Sequence, residues 1–493
     1  MSGYAGRCAK EIGWTFGEIR FVGGQGKTES GCSENMFRAV PFVLFRFGNA
    51  IPGGFFFFMW LPVFSGGVFS GEFMNNLVAL CAVGAEKILG NEIKTLGCRL
   101  DPSRPNLPGR VFFTGDDDAL FRANLCLRTA DRVYLRMAFF RAEDFDQLFD
   151  GVYSVPWQDF FRKDTRVVVD KVRTFKSKLN SEHAVQGICL KAIYKKLGDV
   201  WRMSTLPESG ERCDVRVYID ENDVSVLLDL SGLPLHKRGY RTDGGMAPLR
   251  ETTAAALLQM MMWRRRTPLH DPFSGSGTIA IEAALYAFNV APGFGRRFAL
   301  ENMPIFNPSR AREIRIEEAS KIRTDVEVRI TGTDVDPGAV QRATSNAEHA
   351  LVMAGRALQM VGSDAHLPRP DFAVSSFSDI RAPYDDGIII CNPPYGERLG
   401  DEAQAAELYR SMSSIFDDFP GWKVGVITAH SRFQECIGRY ASALKSIKSG
   451  NLDTTFYIYD GTEKPRPADG NRRPRARASS SGTRGGKFRK DEF

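Results

Sequence analysis

The sequence predicts an α/β protein in which a doubly wound, mostly parallel sheet follows an α+β module. From about residue 247 onward apolar strands alternate with helices, and the strand at 387–391 is uninterruptedly apolar, which is typical of strands covered on both faces. Residues 110–230 instead alternate short strands with helices near 118–128 and 182–198, an α+β pattern. With 493 residues and 43% hydrophobic side chains, the chain can bury two or three cores.

Hydrophobic periodicity predicts the remaining elements. Residues 77–96 start as a strand and continue as an amphipathic helix with one apolar stripe. Further strands of the α+β module are predicted at 110–114, 132–138, 165–169, 214–219 and 223–228. In the parallel sheet, strands are predicted at 269–272, 326–333, 387–391, 422–428 and 454–459, with helices at 278–288 and 337–354.

The N-terminal segment fits neither pattern. It is rich in Gly and Phe, and residues 51–70 carry no charge, as a membrane helix would. Pro52, Gly53 and Pro62 would break such a helix, and the apolar run begins too far from the start for a secretory signal. Two alternatives stand: translation that starts at Met74, or an atypical extension that is disordered or targets the protein.

Cysteine and charge distribution narrow the class of protein. The nine cysteines are scattered without a CxxC pair, so we expect neither a metal site nor disulfides, and a reducing, cytoplasmic location. Residues 464–490 carry ten Lys or Arg and one Asp, a net +9, which leaves −3 for the rest of a chain whose total is +6. The segment 463–493 therefore predicts a disordered basic tail suited to a polyanion.

A glycine turn between a strand and a helix, DPFSGSGT at 271–278, is the first motif with chemical content. Its glycines allow a tight turn and close approach of a ligand. It lacks the GK[ST] of a phosphate-binding loop and begins with an acid, which repels phosphate and can accept from an ammonium group. The motif therefore indicates the methionine half of S-adenosylmethionine rather than ATP. The predicted cofactor-binding residues here are Asp271, Phe273, Ser274, Gly275, Gly277 and Thr278.

Acidic residues follow the next strands. Asp334 ends the strand in the GTDVD string, where a carboxylate can hold both ribose hydroxyls of the cofactor. Asp336, which precedes Pro337, is predicted to cap the following helix. Asp379 is predicted to accept from the adenine amine of the cofactor, with Asp364 as the rival.

The decisive motif is Asn392-Pro393-Pro394-Tyr395, at the C-terminal end of the strand 387–391. Open α/β sheets bind ligands at that edge. The Asn392 side-chain oxygen and the Pro393 carbonyl can both accept from one planar NH2 group, which directs the amine lone pair toward a sulfonium methyl. Tyr395 offers a face for stacking a flipped-out base. We predict these four residues as catalytic, with Asn392 also beside the cofactor.

The motif alone does not identify the amine. Enzymes that methylate adenine N6 in DNA or glutamine in proteins share it, because each of their substrates presents a planar NH2 group. Another alternative is an RNA-binding or ribosome assembly factor that keeps the cofactor fold without catalysis. The intact Asn392, Pro393 and Tyr395 argue against this last alternative.

Taken in order, DPFSGSGT, GTDVD and NPPYGERL resemble the THUMP-domain RNA methyltransferases, and most closely the bacterial 23S rRNA (guanine-N2)-methyltransferases of the L type. The resemblance covers about 74–460. It includes LDLSGLPLHKRGYR at 228–241 and APLRET at 247–252, a string specific to this group, and SGNL at 449–452.

This resemblance implies a Rossmann-like S-adenosylmethionine-dependent methyltransferase domain at 231–462, with a mostly parallel seven-stranded sheet. A ferredoxin-like plus THUMP RNA-binding region is implied at 74–230. Residues 1–73 match nothing in the family's pattern, and the tail 463–493 stands where some long members carry a second methyltransferase domain. The implied reaction is methyl transfer to the N2 of a guanine in 23S rRNA or, as the alternative, in tRNA.

The resemblance also implies contacts with RNA, either naked or within an assembling ribosomal particle, and no membrane partner. A basic run within 162–178 is by itself typical of a solvated face, and it becomes a predicted RNA contact because THUMP domains hold RNA. Four residues of the upstream string are expected near the cofactor and the RNA entrance. The predicted RNA-binding residues are Arg162, Lys163, Lys171, Arg173, Lys176, His236, Arg238, Tyr240 and Arg241.

Overall fold

The described part of the chain contains no helix long and apolar enough to cross a membrane. The predictions for the segment 1–73, the tail 463–493 and Tyr395 lie outside the described residues. The structure, a computed structural model, describes residues 74–102, 107–241, 248–394, 402–450 and 452–461.

Seven strands and four helices form the first half of the described chain. The strands are β1 (Asn75–Leu80), β2 (Arg99–Leu100), β3 (Arg110–Gly115), β4 (Arg132–Arg141), β5 (Arg166–Phe175), β6 (Arg212–Asp220) and β7 (Asp223–Asp229). The helices are α1 (Glu86–Thr95), α2 (Asp117–Cys126), α3 (Phe145–Tyr153) and α4 (Glu182–Trp201). The strands form one sheet in the order β2-β3-β1-β4-β7-β6-β5, in which only β5 and β6 pair in parallel.

Helices cover one face of this first sheet. Along β6 every second residue is buried (Cys213, Val215, Val217 and Ile219), the period expected of a strand with one covered face. These side chains share a core with buried side chains of α1 to α4. The opposite face carries a small separate apolar cluster formed by Val78, Phe112, Tyr134 and Leu227.

The second half of the described chain forms another seven-stranded sheet. Its strands are β8 (Leu269–Asp271), β9 (Ile330–Asp334), β10 (Asp371–Val374), β11 (Ile388–Cys391), β12 (Lys423–Thr428), β13 (Ala443–Ser449) and β14 (Leu452–Tyr459). Its helices are α5 (Glu251–Met260), α6 (Thr278–Ala287), α7 (Pro308–Ala319), α8 (Pro337–Gln359), α9 (Glu402–Ser411), α10 (Ile415–Asp418) and α11 (Phe433–Ile437). The order is β10-β9-β8-β11-β12-β14-β13, and the first five of these strands are parallel. The predicted mostly parallel, seven-stranded sheet is confirmed.

Two predicted boundaries in this sheet were wrong. The strand predicted from 326 begins only at Ile330, because its neighbour β8 offers pairing partners only from Leu269, which lies opposite Ile330. The helix predicted to end at 354 continues to Gln359, because Ala357 and Leu358 are buried against the core.

The strand order reverses beside β8. The chain passes from β8 through β9 to β10 on one side, and then returns to β11 and β12 on the other side. Open α/β sheets bind ligands outside the carboxyl ends of the strands at such a reversal. The loops that follow β8 and β11 carry the glycine turn and Asn392, so the topology places both motifs at this position.

The two halves share one core. Buried residues of both halves belong to a single apolar cluster. Where α2 meets α7, Arg122 pairs with Glu317 at 2.7 Å and Arg310 pairs with Asp118 at 2.5 Å. The first sheet is therefore fixed against the second rather than joined to it only by a linker.

Candidate active site

Asp271 ends β8 with its carboxylate buried. The residue is 1% exposed, and the Phe273 backbone N–H donates to its Oδ1 at 3.1 Å. Burial, reinforced by the charge of Asp334, raises the pKa of Asp271 to about 8. A bound cation would compensate that burial and restore the ionised carboxylate, so the position suits an ammonium group.

The glycine turn packs too tightly for other residues at two positions. Gly275 and Gly277 adopt φ of 52° and 81°, in the left-handed region that favours glycine. The Gly277 N–H donates to the Ser274 carbonyl at 2.7 Å, which closes the turn. A Cβ on Gly277 would lie 3.0 Å from the side chains of Ala343 and Phe372. The turn therefore presents backbone to a ligand directly above the start of α6.

Asp334 lies at the end of β9, beside the glycine turn. Its two carboxylate oxygens accept from the Gly275 N–H at 2.9 Å and from the Asp336 N–H at 3.0 Å. Each oxygen keeps a second lone pair, so the carboxylate can also accept from a ribose hydroxyl. Asp336 caps α8, accepting from the Gly338 N–H at 2.8 Å, and this predicted cap is confirmed.

Two aromatic rings connect the glycine turn to the segment before β11. The ring centroids of Phe273 and Phe377 are 5.3 Å apart. Phe377 begins a short 3-10 helix that ends at Asp379, so this contact brings the exposed Asp379 to the glycine-turn side of the sheet. Ser274 is buried, and its Oγ has no hydrogen-bond partner among the described residues. Asp364, the rival of Asp379, is exposed in the loop after α8.

Asn392 directly follows β11, at the carboxyl edge adjacent to β8. The register pairs Ile389 with His270, which places the end of β11 alongside Asp271. The Asn392 Oδ1 atom is buried and has no hydrogen-bond donor among the described residues. A buried amide oxygen left without a donor costs free energy, on the order of 1–3 kcal/mol. Such an atom is suited to accept from a substrate N–H.

A chain of hydroxyl groups holds the loop after Asn392. The Tyr409 hydroxyl of α9 lies 3.1 Å from the Pro394 carbonyl and 3.0 Å from the Thr428 hydroxyl of β12. Thr428 in turn accepts from the His430 N–H at 3.1 Å. Because a carbonyl only accepts, the Tyr409 proton points to Pro394, and Thr428 donates to Tyr409. The chain has one direction, and it fixes the Pro394 carbonyl.

Sequence reasoning missed Tyr409 and Thr428. Tyr409 is fully buried, and its ring packs edge-on against Phe433 at 5.0 Å. The sequence signal was the spacing of Ala405, Tyr409 and Met412, which indicates a buried helix face but says nothing about the loop that the hydroxyl contacts.

Arg241 is the member of the upstream string that reaches the cofactor turn. Its Nη2 donates to the Thr278 hydroxyl at 2.7 Å, and its Nε lies 3.1 Å from the Glu251 carboxylate. Arg241 therefore ties the first residue of α6 to the first residue of α5.

The RNA contact predicted for Arg238 and Tyr240 is corrected by their burial. Arg238 is 2% exposed, and its guanidinium donates to the carbonyls of Leu235 and Arg128. Tyr240 is 1% exposed, and its hydroxyl donates to Glu282 at 3.1 Å. Neither side chain has surface left for RNA, so both stabilise the packing behind the glycine turn.

The other predicted RNA-binding residues lie on the first sheet or at its edge, away from the glycine turn. Arg162 and Lys163 are exposed before β5, and Arg162 donates to the Asn302 carbonyl at 3.1 Å. Arg173 pairs with Glu182 at 2.7 Å, and Lys176 pairs with Glu221 at 3.5 Å. Lys171 and His236 instead line a cleft between the two halves of the molecule.

Comparison with known proteins identifies the family. A family described as "RMKL-like, methyltransferase domain" matches residues 238–458, and the "RlmL ferredoxin-like domain" matches residues 76–134. "Putative RNA methyltransferase YpsC" of Bacillus subtilis is 36% identical over 397 residues, covering 79% of this chain and 97% of that protein. The chain belongs to the RlmL-like methyltransferase family.

Two further relatives of this RlmL-like chain bear on its length and its cofactor. "Ribosomal RNA large subunit methyltransferase K/L" of Photobacterium profundum is 30% identical over 397 residues, which cover 78% of this chain and 53% of that protein. The crystal structure of SMU.472 complexed with SAH matches with a TM-score of 0.69 and 33% identity, covering 79% of this chain and 98% of that chain. The fold and the family expected from the sequence are thereby confirmed.

S-adenosylmethionine is the cofactor of this RlmL-like methyltransferase, and the described residues fit it. The buried carboxylate of Asp271 suits the ammonium of its methionine half, and Asp334 keeps lone pairs for the ribose hydroxyls. The glycine turn leaves its backbone open to a ligand. Within the described residues, no three His, Cys, Asp or Glu side chains are grouped so as to hold a metal ion.

Proposed function

We propose that this chain transfers a methyl group from S-adenosylmethionine to the exocyclic N2 of a guanine in RNA, with large-subunit rRNA as the target. The observation that carries the proposal is the buried, unpartnered Oδ1 of Asn392 at the carboxyl edge beside Asp271. An acceptor of that kind selects a substrate with an N–H donor. It discriminates against a carbonyl target, because a carbonyl would leave the acceptor unsatisfied.

The residues of the chain would act by position and hydrogen bonding. Asn392 Oδ1 accepts one N–H of the guanine amine, and the Pro393 carbonyl accepts the other, so the nitrogen lone pair is aimed along one direction. The hydroxyl chain through Tyr409 keeps this loop in one conformation. When bound, S-adenosylmethionine supplies an electrophilic methyl group on a sulfonium centre. The proton leaves the nitrogen for water after methylation, because the methylated ammonium is a strong acid, so no general base is required.

RNA as the substrate is supported by three independent features. YpsC and the Photobacterium protein are named for RNA and for ribosomal RNA of the large subunit. A ferredoxin-like domain precedes the methyltransferase domain, and the tail beyond residue 463 is strongly basic. The Photobacterium name favours rRNA, and tRNA is the alternative target.

The proposal is tested by methyl transfer in vitro. Purified protein and labelled S-adenosylmethionine are incubated with total RNA from cells that lack this protein, and the RNA fractions are digested to nucleosides for mass spectrometry. We expect labelled N2-methylguanosine in the large rRNA. Label in tRNA would move the target and keep the reaction, whereas labelled N6-methyladenosine would contradict the assigned base. Absence of label in every fraction, with cofactor binding intact, would contradict RNA methylation altogether.

A further inference from the structure

The helix-free face of the first sheet ends in a cleft against the methyltransferase half. This junction cleft has a volume of about 340 Å³. Its walls come from the first sheet, from the residue that precedes α5 and from β13. The cleft is strongly basic, and the cations that the argument uses are Arg110, Lys171, Arg173, Arg216, Arg250 and Lys448.

Strand pairing places several of these cations side by side. Lys171 lies opposite Arg216 and Arg173 lies opposite Tyr218 in the parallel β5–β6 pair, so their side chains share one face of the sheet. A β-bulge interrupts the register between Val169 and Lys171. Bulges re-aim side chains, and this one brings consecutive polar residues to the rim of the cleft.

Acidic partners neutralise only part of this charge. Arg216 pairs with Asp170 at 2.9 Å, and Arg250 lies 3.5 Å from Asp131. Arg173 and Arg132, another lining residue, likewise pair with Glu182 and Asp229. Arg110 and Lys171 have no carboxylate partner among the described residues. The cleft therefore keeps an excess of positive charge even without counting Lys448.

The unpaired cations are held in place rather than free in solvent. The Arg110 guanidinium stacks 4.0 Å above the Tyr218 ring, which leaves its N–H edge available. Burial, with the charges of Arg173 and Arg216, lowers the pKa of Lys171. The Arg216 Nε is buried and has no acceptor among the described residues. Like charges crowded at this density are stabilised by an anion, and the unused donors can satisfy its oxygens.

Asp131 is the acid inside the cleft, and its lone pairs are engaged. It accepts from the Thr252 hydroxyl at 2.7 Å and lies 3.7 Å from the His236 ring nitrogen, besides its pairing with Arg250. Arg250 and Thr252 both belong to the start of α5, so Asp131 anchors that helix and directs Arg250 toward the cleft. The carboxylate therefore helps to build the basic wall instead of repelling an anion from it.

We propose that the junction cleft binds backbone phosphate of the RNA substrate, so that one strand is held at once by the first sheet and by the methyltransferase half. This inference rests on the RNA substrate of the proposed function. The two halves share one core, so a phosphate in the cleft fixes the strand relative to the sheet edge that carries Asn392. The tyrosine-backed Arg110 and the strand-paired Lys171 make the principal contacts.

The test measures how RNA binding depends on salt. Affinity for a fluorescently labelled single-stranded RNA oligonucleotide of mixed sequence is measured across a salt series for full-length wild type, Lys171→Ala, Arg110→Ala and the double variant. Lys191→Ala is the matched control, because it removes one exposed lysine from α4 on the helix-covered side. We expect the slope of log affinity against log salt to fall by about 0.7 for each phosphate of a single strand that a substitution leaves without its cation, and Lys191→Ala to keep the wild-type slope.

Further arms separate the competing outcomes. Lys171→Arg should keep the wild-type slope, since the charge remains, and thermal unfolding shows whether each variant is folded. A wild-type slope in the folded double variant would overturn the inference. So would stabilisation of wild type but not the double variant by inorganic phosphate with an unchanged RNA slope, because the cleft would then be a small-anion site. If wild type itself binds no RNA, the proposed function fails; if wild type binds RNA and the variants behave like it, the inference alone fails.

Discussion

The polar groups at the end of the second sheet differ from those on the open face of the first in how they are satisfied. At the second sheet, Asp271 and Asn392 are held by the protein but lack partners for the atoms that matter: a cation for one, an N–H donor for the other. On the first sheet, Arg173 and Arg216 already have carboxylate partners. The difference suggests that chemistry uses buried, unsatisfied atoms, whereas binding of a polyanion uses a modest excess of partly exposed charge.

This comparison predicts the largest effect at Asn392. Asn392→Ala should lower kcat for methyl transfer by roughly 100- to 1000-fold, the effect of removing one well-placed hydrogen-bonding group from a reacting centre. S-adenosylmethionine affinity, RNA affinity and thermal unfolding should stay close to wild type, because the Oδ1 atom makes no hydrogen bond with the described residues. Single-turnover kinetics with labelled cofactor measure the effect.

The matched control is Asn91→Ala, which removes an exposed asparagine side chain from α1. It should keep the wild-type rate. An Asn392→Ala enzyme that transfers methyl groups at the control rate would remove Asn392 from the mechanism.

The next largest effect is expected at Asp271, with opposite signs for binding and stability. Asp271→Asn should weaken S-adenosylmethionine binding roughly 10- to 100-fold, because the ammonium loses a charged partner. The same change should stabilise the free protein by roughly 1 to 4 kcal/mol near pH 8, since each unit of pKa shift is worth about 1.4 kcal/mol. Calorimetric titration and denaturant unfolding measure the two quantities.

The pH dependence follows from the raised pKa. The folded pKa of Asp271 is about 8, above the unfolded value of about 3.9, so this group favours folding below pH 4 and loses that contribution as pH rises toward 8. Wild type should therefore lose stability relative to Asp271→Asn across that interval. Its cofactor affinity should rise between about pH 5 and 7, as the carboxyl becomes easier to ionise, while the variant stays flat. Parallel pH profiles for both proteins would contradict the assignment.

A smaller effect is expected at Tyr409, which positions the loop without contacting substrate. Tyr409→Phe should lower kcat about three- to tenfold, equivalent to one hydrogen bond of about 1 kcal/mol, with little change in KM for RNA or in cofactor affinity. Tyr153→Phe removes a hydroxyl that bonds Asp199 at the surface and should leave kcat unaltered. An equal loss in both variants, or a loss confined to KM, would show that Tyr409 does not act through the Pro394 carbonyl.

The smallest effect on chemistry is expected from removing the basic tail. A chain ending at residue 463 loses ten Lys or Arg between 464 and 490. RNA affinity should fall at low salt, and the slope of log affinity against log salt should become shallower, while the maximal methyl-transfer rate is kept. A binding titration across a salt series measures this. An identical slope with and without the tail would show that the tail makes no contact with phosphate.

The local parts of the site were predictable from sequence because short-range geometry dictates them. Two glycines in a strand-to-helix turn require φ values that only glycine adopts easily, and the structure has Gly275 and Gly277 in that region. An Asp before a Pro caps a helix, as Asp336 does. The family's motifs also place Asn392 at a strand end, where the topology of any doubly wound sheet gathers ligand contacts.

The long-range parts were not predictable because they depend on partners far away in sequence. Tyr240 looks like a surface residue within a polar string, but its hydroxyl reaches Glu282 inside the packed core. The helix Glu251–Met260 was missed because its first eight residues are all buried, so no polar stripe reveals its period. The hairpin strand β13, with alternating Lys and apolar residues, gave too short a pattern to be recognised.

The most direct test of the central claim compares two complemented strains. Cells that lack this protein are supplied with either wild type or Asn392→Ala, and the nucleosides of their purified large rRNA are quantified by mass spectrometry. We predict N2-methylguanosine at one additional site with wild type and its absence with Asn392→Ala at equal protein levels. The same N2-methylguanosine content in both strains, or a gain of N6-methyladenosine instead, would contradict the claim that Asn392 holds a guanine amine for methylation.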